Sequence, residues 1–137
     1  MPTRPLTNVI GATENILRRL LREEVLSHTA IEGYDEWVYL NIQDAATDSA
    51  RVEELVADAL QQPRSAATAA RARLIEAGVL DSAGALTGSG REQLIDCRQL
   101  LTQARDALTA GIDRAALQTT LETLETVGDR AKGLLNH

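Results

Sequence analysis

The segment from Val56 to Gly90 constrains this chain more than any other. Val56-Ala57-Asp58-Ala59-Leu60 has helical apolar spacing, Gln61-Gln62-Pro63 interrupts it, and a second helical run ends in Leu74-Ile75-Glu76-Ala77-Gly78. Proline is tolerated in the first turn of a helix and disruptive inside one, so Pro63 separates two helices. Gly78 supplies the left-handed residue on which helices commonly stop. Val79 and Leu80, the turn Asp81-Ser82-Ala83-Gly84, and Ala85 and Leu86 make a minimal hairpin with Gly84 in its tight turn. Leu86-Thr87-Gly88-Ser89-Gly90 then opens another helix. Two short helices joined by a turn, a small hairpin and a further helix are the plan of a winged helix-turn-helix.

The flanks read as helices of a different kind. Leu6, Val9, Ile10, Ile16, Leu17, Leu20, Leu21 and Val25 form one stripe of 3.6-residue period, which predicts a first helix over 6–25. Ser27 to Gly33 breaks the period, and Trp37, Val38, Leu40 and Ile42 place a shorter second helix over 34–42. In the polar stretch Asp44 to Ser49, Asp48 or Ser49 caps a third helix from about Ala50 to Leu60. A fourth runs from Pro63 to about Ala77. After the hairpin, Leu94, Cys97, Leu101, Ala104 and Leu108 alternate by three and four; beyond a break at Gly111 the seam resumes at Leu117, Leu121, Leu124, Gly128, Ala131 and Leu135. Such seams serve an intramolecular core or a second copy. Here they exceed what a compact DNA-binding core requires, and most helical DNA binders are two-fold dimers, so dimerisation is the reading adopted. The expected fold is mainly α: a winged helix-turn-helix with a minimal β-hairpin wing and long N- and C-terminal dimerisation helices. One domain spans 1–137, with N-terminal helices over 1–43, the winged helix-turn-helix over 44–91 and C-terminal dimerisation helices over 92–137.

Composition removes several function classes. A length of 137 residues suffices for a core without disulfides or metals, and with one Trp, two Tyr and no Phe that core is aliphatic. A single Cys excludes an intrachain disulfide framework, no leader-like segment opens the sequence, and no apolar run approaches the roughly 20 residues that span a bilayer. The expectation is a cytoplasmic protein with no membrane partner. A net charge of −6 argues against a generic nucleic-acid coat but leaves room for a local basic face. The basic residues are 13 Arg and Lys132, which suits bidentate base and phosphate contacts and equally fits the codon usage of a GC-rich genome.

Chemistry-bearing clusters are scarce. His28 and His137 are the only histidines, and no Cys or His set has metal-ligand spacing. Gly84, Gly88 and Gly90 lack the strand and Lys of a phosphate-binding loop. Glu23-Glu24 and Glu53-Glu54 read as solvated helix faces. No catalysis, cofactor or metal is expected. Cys97, inside the Leu94 to Leu108 seam, reads as a buried packing residue rather than a redox switch.

Val56-Ala57-Asp58-Ala59-Leu60, Leu74-Ile75-Glu76-Ala77-Gly78 and Leu86-Thr87-Gly88-Ser89-Gly90-Arg91 together resemble the multiple-antibiotic-resistance regulator (MarR) family of dimeric winged-helix transcription factors. The interval from Leu60 to Gly78 agrees with that family's spacing, and Trp37 to Leu40 resembles its second helix, so the resemblance covers nearly the whole chain. It implies that the fourth helix enters the major groove of double-stranded DNA and the wing the adjacent minor groove. Carried over by position, the DNA-facing residues are Arg64, Ser65, Ala66, Thr68, Ala69 and Arg73. Ala67, Ala70 and Leu74 are the buried face, while Arg71 faces away or pairs beside Glu76. The resemblance further implies a small, frequently aromatic and anionic effector, whose pocket draws on Arg19, His28, Tyr34 and Trp37; Tyr34 and Trp37 serve equally as packing aromatics.

Three departures qualify the pattern. The turn has Gln61-Gln62 where the family commonly places Gly and an apolar residue, the fourth helix is mostly Ala, and the wing lacks a basic tip. Between Arg51 and Arg91 the cations Arg51, Arg64, Arg71, Arg73 and Arg91 are balanced by Glu53, Glu54, Asp58, Glu76 and Asp81. Two functional readings follow. The first is a homodimeric regulator, in such families more often a repressor, on a pseudo-palindromic operator. The second is a dimeric ligand-sensing or protein-interaction module with weak or lost DNA binding.

Overall fold

The computed structural model describes residues 4–136, so His137 lies outside the described residues. Helix α1 (Leu6–Leu20) runs directly into a π-helical turn, Leu21–Val25, closed by the Leu26 amide on the Leu21 carbonyl at 2.9 Å. No residue of α1 is buried, whereas Leu21, Val25 and Leu26 are. The first apolar stripe is therefore one helical run that enters the core only through its widened last turn.

Helix α2 (Tyr34–Ala45) carries Asp35 and Glu36 in its first turn, where the positive end of the helix dipole favours acids. It extends three residues past the expected end at Ile42. The extension, Gln43 to Ala45, includes Asp44, whose side chain accepts from Arg98 as does that of Asn41 just before it, a long-range tie invisible to apolar periodicity. The Asp48 carboxylate accepts from the Ala50 amide at 3.0 Å, as an N-cap should, but the turn it opens is 3₁₀ (Ser49–Arg51) and leads into α3 (Val52–Leu60).

Helix α3 ends with Gln61 in the left-handed conformation (φ 53°), where the Gln61 and Gln62 amides reach back to the Asp58 and Ala57 carbonyls. The atypical Gln thus takes the backbone shape that glycine takes most easily. Helix α4 (Arg64–Glu76) begins just after Pro63, and Ala67, Ala70 and Leu74 are its buried residues, as the sequence predicts. It stops before Gly78, whose φ of +77° permits the reversal.

The expected minimal hairpin is present as one antiparallel bridge, between Leu80 and Leu86. The Asp81 amide donates to the Ala85 carbonyl and the Thr87 amide to the Val79 carbonyl, the two bonds that make this bridge, while the Asp81 carboxylate accepts from the amides of Ala83 and Ala85 in the turn. Helix α5 (Gly88–Thr109) follows, then a break at Gly111 and α6 (Arg114–Leu135), capped by the Asp113 carboxylate on the Ala116 amide.

The Leu-Thr-x-x-Gly segment has a physical cause. Thr87 Oγ1 accepts from the Gly90 amide at 2.9 Å, capping α5, and its hydroxyl faces the Gly78 and Val79 carbonyls at 2.7 and 3.1 Å. A Cβ at Gly90 would stand 2.1 Å from the Val79 carbonyl oxygen, so only glycine allows helix and wing this approach.

The chain divides into two compact units, one ending at Thr102 and the other beginning at Gln103. The first holds the core, where Trp37, Tyr39, Leu40, Val52, Val56, Leu74, Val79, Leu80, Leu94 and Cys97 are buried together. The second holds the end of α5 and all of α6, which has no buried residue. Among the described residues, no helix is long and apolar enough to cross a membrane, and no His, Cys, Asp and Glu group is placed to hold a metal ion.

Candidate nucleic-acid interface

An α-helix turns by about 100° per residue, so the buried stripe of α4 fixes what the opposite side presents. Ser65, Thr68, Ala69 and Ala72 occupy the middle of the exposed side. Arg64 lies on one flank and Arg73, half a turn away, on the other. Ala66 is only partly exposed, at the edge of the buried stripe on the Arg73 side. Ser65, Thr68 and Ala69 thus share the exposed side, while Arg64 and Arg73 stand half a turn apart at its opposite edges, and both are already engaged.

On the first flank, Arg64 Nε donates to Glu53 Oε2 at 3.3 Å, and Thr68 Oγ1 donates to the same oxygen at 3.1 Å. Glu53 belongs to the first turn of α3 and is the better buried partner, at 22% exposure against 64% for Arg64. On the other flank, Arg73 is paired through Nε with Glu36 Oε1 of α2. The Glu36 side chain is only 6% exposed, while Arg73 keeps 42%, and this hydrogen bond is the main reason that the Arg73 pKa is raised above its ordinary value. Arg73 holds the last turn of α4 against α2.

Arg71 faces away from that exposed side, toward the wing rather than Glu76. It is half-buried, with its guanidinium against the wing turn, 3.0 to 3.1 Å from where a Cβ on Gly84 would be. Gly84 has φ of +89° and is buried, so lack of a side chain serves both the turn and the packing. Arg71 also lies beside Tyr39, whose pKa is nonetheless raised because burial of the phenol outweighs that nearby cation. Tyr39, Gln43, Ser49, Glu53, Arg64, Arg71, Ala83 and Gly84 border an open cavity of about 280 Å³ between α2, α3, α4 and the wing.

Sequence reading missed the two carboxylates. Glu36 is four residues from Leu40 on the buried side of α2, and an acid at such a spacing signals a buried ion pair. Glu53 was placed on a solvated face; it lies instead at the α3–α4 junction. The remaining acids of those pairs do sit on open helix surfaces, Glu23 against Arg19 at 2.7 Å and Glu54 against Arg51 at 3.6 Å.

The four effector candidates are dispersed in role. Arg19 is turned to Glu23, Trp37 is buried in the core, His28 is exposed in the loop after the π turn, and Tyr34 is half-buried under the Arg18 guanidinium at 4.3 Å from its ring. None of them lines the cavity described above. Cys97 is fully buried with its thiol 3.7 Å from the Val25 carbonyl, and burial pushes its pKa up. It is a packing residue, as its seam position predicts.

The fold defined by these elements is that of winged-helix transcriptional regulators. The chain is similar to the reduced form of MarR from E. coli, with TM-score 0.69 and 23% identity over 92% of this chain and 95% of that one. It is also similar to a MarR/EmrR family transcriptional regulator from Acinetobacter sp. ADP1, with TM-score 0.70 and 15% identity over 95% and 99% of the two chains. No protein-family model and no curated protein matches the sequence. The chain therefore has the MarR-type winged helix-turn-helix fold, with its wing reduced to a single bridge.

Proposed function

We propose that this chain is a MarR-type transcriptional regulator that acts in the cytoplasm as a homodimer, spanning one functional domain and repressing from a pseudo-palindromic operator in double-stranded DNA. The observation that carries this reading is the exposed side of α4, with Ser65, Thr68 and Ala69 at its centre, held between the α3 turn and the wing. Ser65 sits in the first turn, where free amides also favour phosphate. Arg64, Ala66 and Arg73 complete the proposed set, Arg64 as a direct contact and Arg73 through its hold on the last turn of α4. Homodimerisation is supported by exposed apolar residues: Leu6, Val9, Ile16 and Leu17 on α1, and Leu121, Leu124 and Leu135 on α6, each at least 40% exposed. Apolar residues repeated along one exposed helix surface, as on each of these two helices, suit burial against a second copy.

Selection from random duplexes over a salt series tests the reading. The expected result is enrichment of a two-fold site whose half-sites lie about 34 Å apart, one DNA turn, bound by a dimer in sedimentation. No enrichment at low salt refutes it. The regulator reading also includes a small anionic aromatic effector near Arg19, His28, Tyr34 and Trp37, for which fluorescence of the single Trp is the reporter. One observation favours the second reading, a dimeric interaction module with weak or lost DNA binding: Arg64 and Arg73 both have carboxylate partners within the chain. No catalytic role is proposed.

A further inference from the structure

We propose that Glu53 is a specificity-determining residue of the DNA-reading helix, occupying Arg64 in place of a DNA phosphate until the correct site supplies one. The inference rests on the DNA-binding reading above. Its basis is geometric: one carboxylate oxygen of Glu53 accepts from both Arg64 Nε and Thr68 Oγ1, two groups of the N-terminal half of α4. The acid is largely enclosed and the guanidinium largely open, so the cation is the partner free to swing away. Both border the cavity that Arg71 and the wing residues Ala83 and Gly84 also line, leaving an open approach for an anion beside Glu53.

A phosphate reaching Arg64 by this route must displace a competitor of like charge. On an arbitrary duplex, phosphates sample many registers and none is fixed beside Arg64, so Glu53 keeps it. On the operator, docking of α4 fixes the register and holds a phosphate there, so the exchange takes place. Glu53 thereby lowers non-specific affinity more than specific affinity. Exposed ion pairs are weak, which keeps the exchange within reach of a single phosphate contact.

The test compares wild type, Glu53→Gln, Arg64→Ala and the double variant by fluorescence anisotropy, on a random-sequence duplex and on the selected operator, over a salt series. Glu53→Gln keeps the hydrogen-bond acceptor and removes the charge; thermal melting checks its fold, and Glu53→Ser serves the same comparison if the Gln variant melts early. The expected result on the random duplex is binding about two- to fivefold tighter at low salt. The slope of log K against log salt steepens by about 0.9, the counterion equivalent of one more phosphate contact. The operator gains less, and with Arg64→Ala the steepening disappears. Unchanged slopes in Glu53→Gln overturn the inference while leaving DNA binding intact, as does the same steepening with Arg64 absent, which makes Glu53 a general charge. Failure of wild type and Glu53→Gln to bind any duplex at low salt overturns the DNA-reading function and this inference with it.

Discussion

Replacing Gly90 by Ala adds one methyl group where α5 meets the base of the wing. The new Cβ stands 2.1 Å from the Val79 carbonyl oxygen, 3.0 Å from its carbon and 3.1 Å from Val79 Cγ1. An ordinary carbon to oxygen approach is about 3.3 Å, so the backbone must separate by roughly 1.2 Å. The obstacle is main chain, which cannot swing aside as a side chain does. The same carbonyl accepts from the Thr87 amide at 3.1 Å and faces its hydroxyl at 3.1 Å, so the movement strains two hydrogen bonds as well. Overpacking of this kind costs about 1–3 kcal/mol, and each weakened hydrogen bond about 1 kcal/mol. The helix-propensity gain of Ala over Gly, about 1 kcal/mol, offsets part of this, leaving a loss of about 2–4 kcal/mol. Gly88 is the internal control: it opens the same helix, and a Cβ there meets nothing within 4 Å. Urea unfolding at constant m measures both variants, with Gly88→Ala expected within about 0.5 kcal/mol of wild type. A Gly90→Ala protein as stable as wild type, or a Gly88→Ala protein that loses equally, refutes the close-approach argument.

Gln61→Gly relieves a left-handed non-glycine residue and is expected to stabilise the chain by up to about 1 kcal/mol, read as a higher urea midpoint; the Gln61 side chain's bond to the Asp58 carbonyl is the loss that limits the gain. Alkaline pH is expected to destabilise the fold through Cys97 and Tyr39, whose folded pKa values are both raised by burial. Their contribution is complete below the unfolded values of about 8.5 and about 10 and is lost as pH rises through the folded ones. Cys97→Ala should therefore flatten the first part of the decline in melting temperature above about pH 8.5, and an unaltered profile assigns that decline elsewhere.

How much of this was legible in the sequence depends on the range of the interaction concerned. The α3–turn–α4 unit was, because Pro63, Gly78 and the Ala67, Ala70 and Leu74 stripe are local signals with local causes. The π turn was not: apolar spacing from Leu17 to Val25 reads as helix whether it closes every four residues or every five. The end of α2 was placed three residues early because Gln43 to Ala45 carry no apolar period and Asp44 is held by Arg98, more than fifty positions away. The minimal hairpin was legible in Val79-Leu80, the Gly84 turn and Ala85-Leu86, whereas the hold of the Asp81 carboxylate on the Ala83 and Ala85 amides depends on turn geometry that apolar spacing does not carry. At the candidate site the buried stripe of α4 was readable and the electrostatics of its flanks were not. Residue counts gave a neutral segment; which acid meets which arginine is a property of α2 and α3 packing on α4.

That pairing makes the two arginines unequal. Arg64 and Glu53 form an exposed pair, worth about 0.2–1 kcal/mol, and a phosphate can take the place of Glu53 without stranding it, because Glu53 keeps Thr68 and partial access to water. Arg73 has no such freedom: if it turned to DNA, Glu36 would be left nearly buried without its cation. Arg73 thus holds α4 against α2, and under the proposed DNA-binding reading Arg64 is the one of the two that is expected to exchange counterions with DNA. On the selected operator, Arg64→Ala should lower the slope of log K against log salt by about 0.9, while Arg73→Ala should weaken binding with little change of slope. The stability readings should part in the opposite direction, with Arg73→Ala losing about 1–3 kcal/mol, less than for a fully buried pair because Arg73 is partly exposed. Glu36→Met in the same chain should recover most of that loss by filling the site with an apolar group of similar volume. An Arg73→Ala protein with wild-type stability and a shallower slope would make Arg73 a phosphate contact and remove the positioning role.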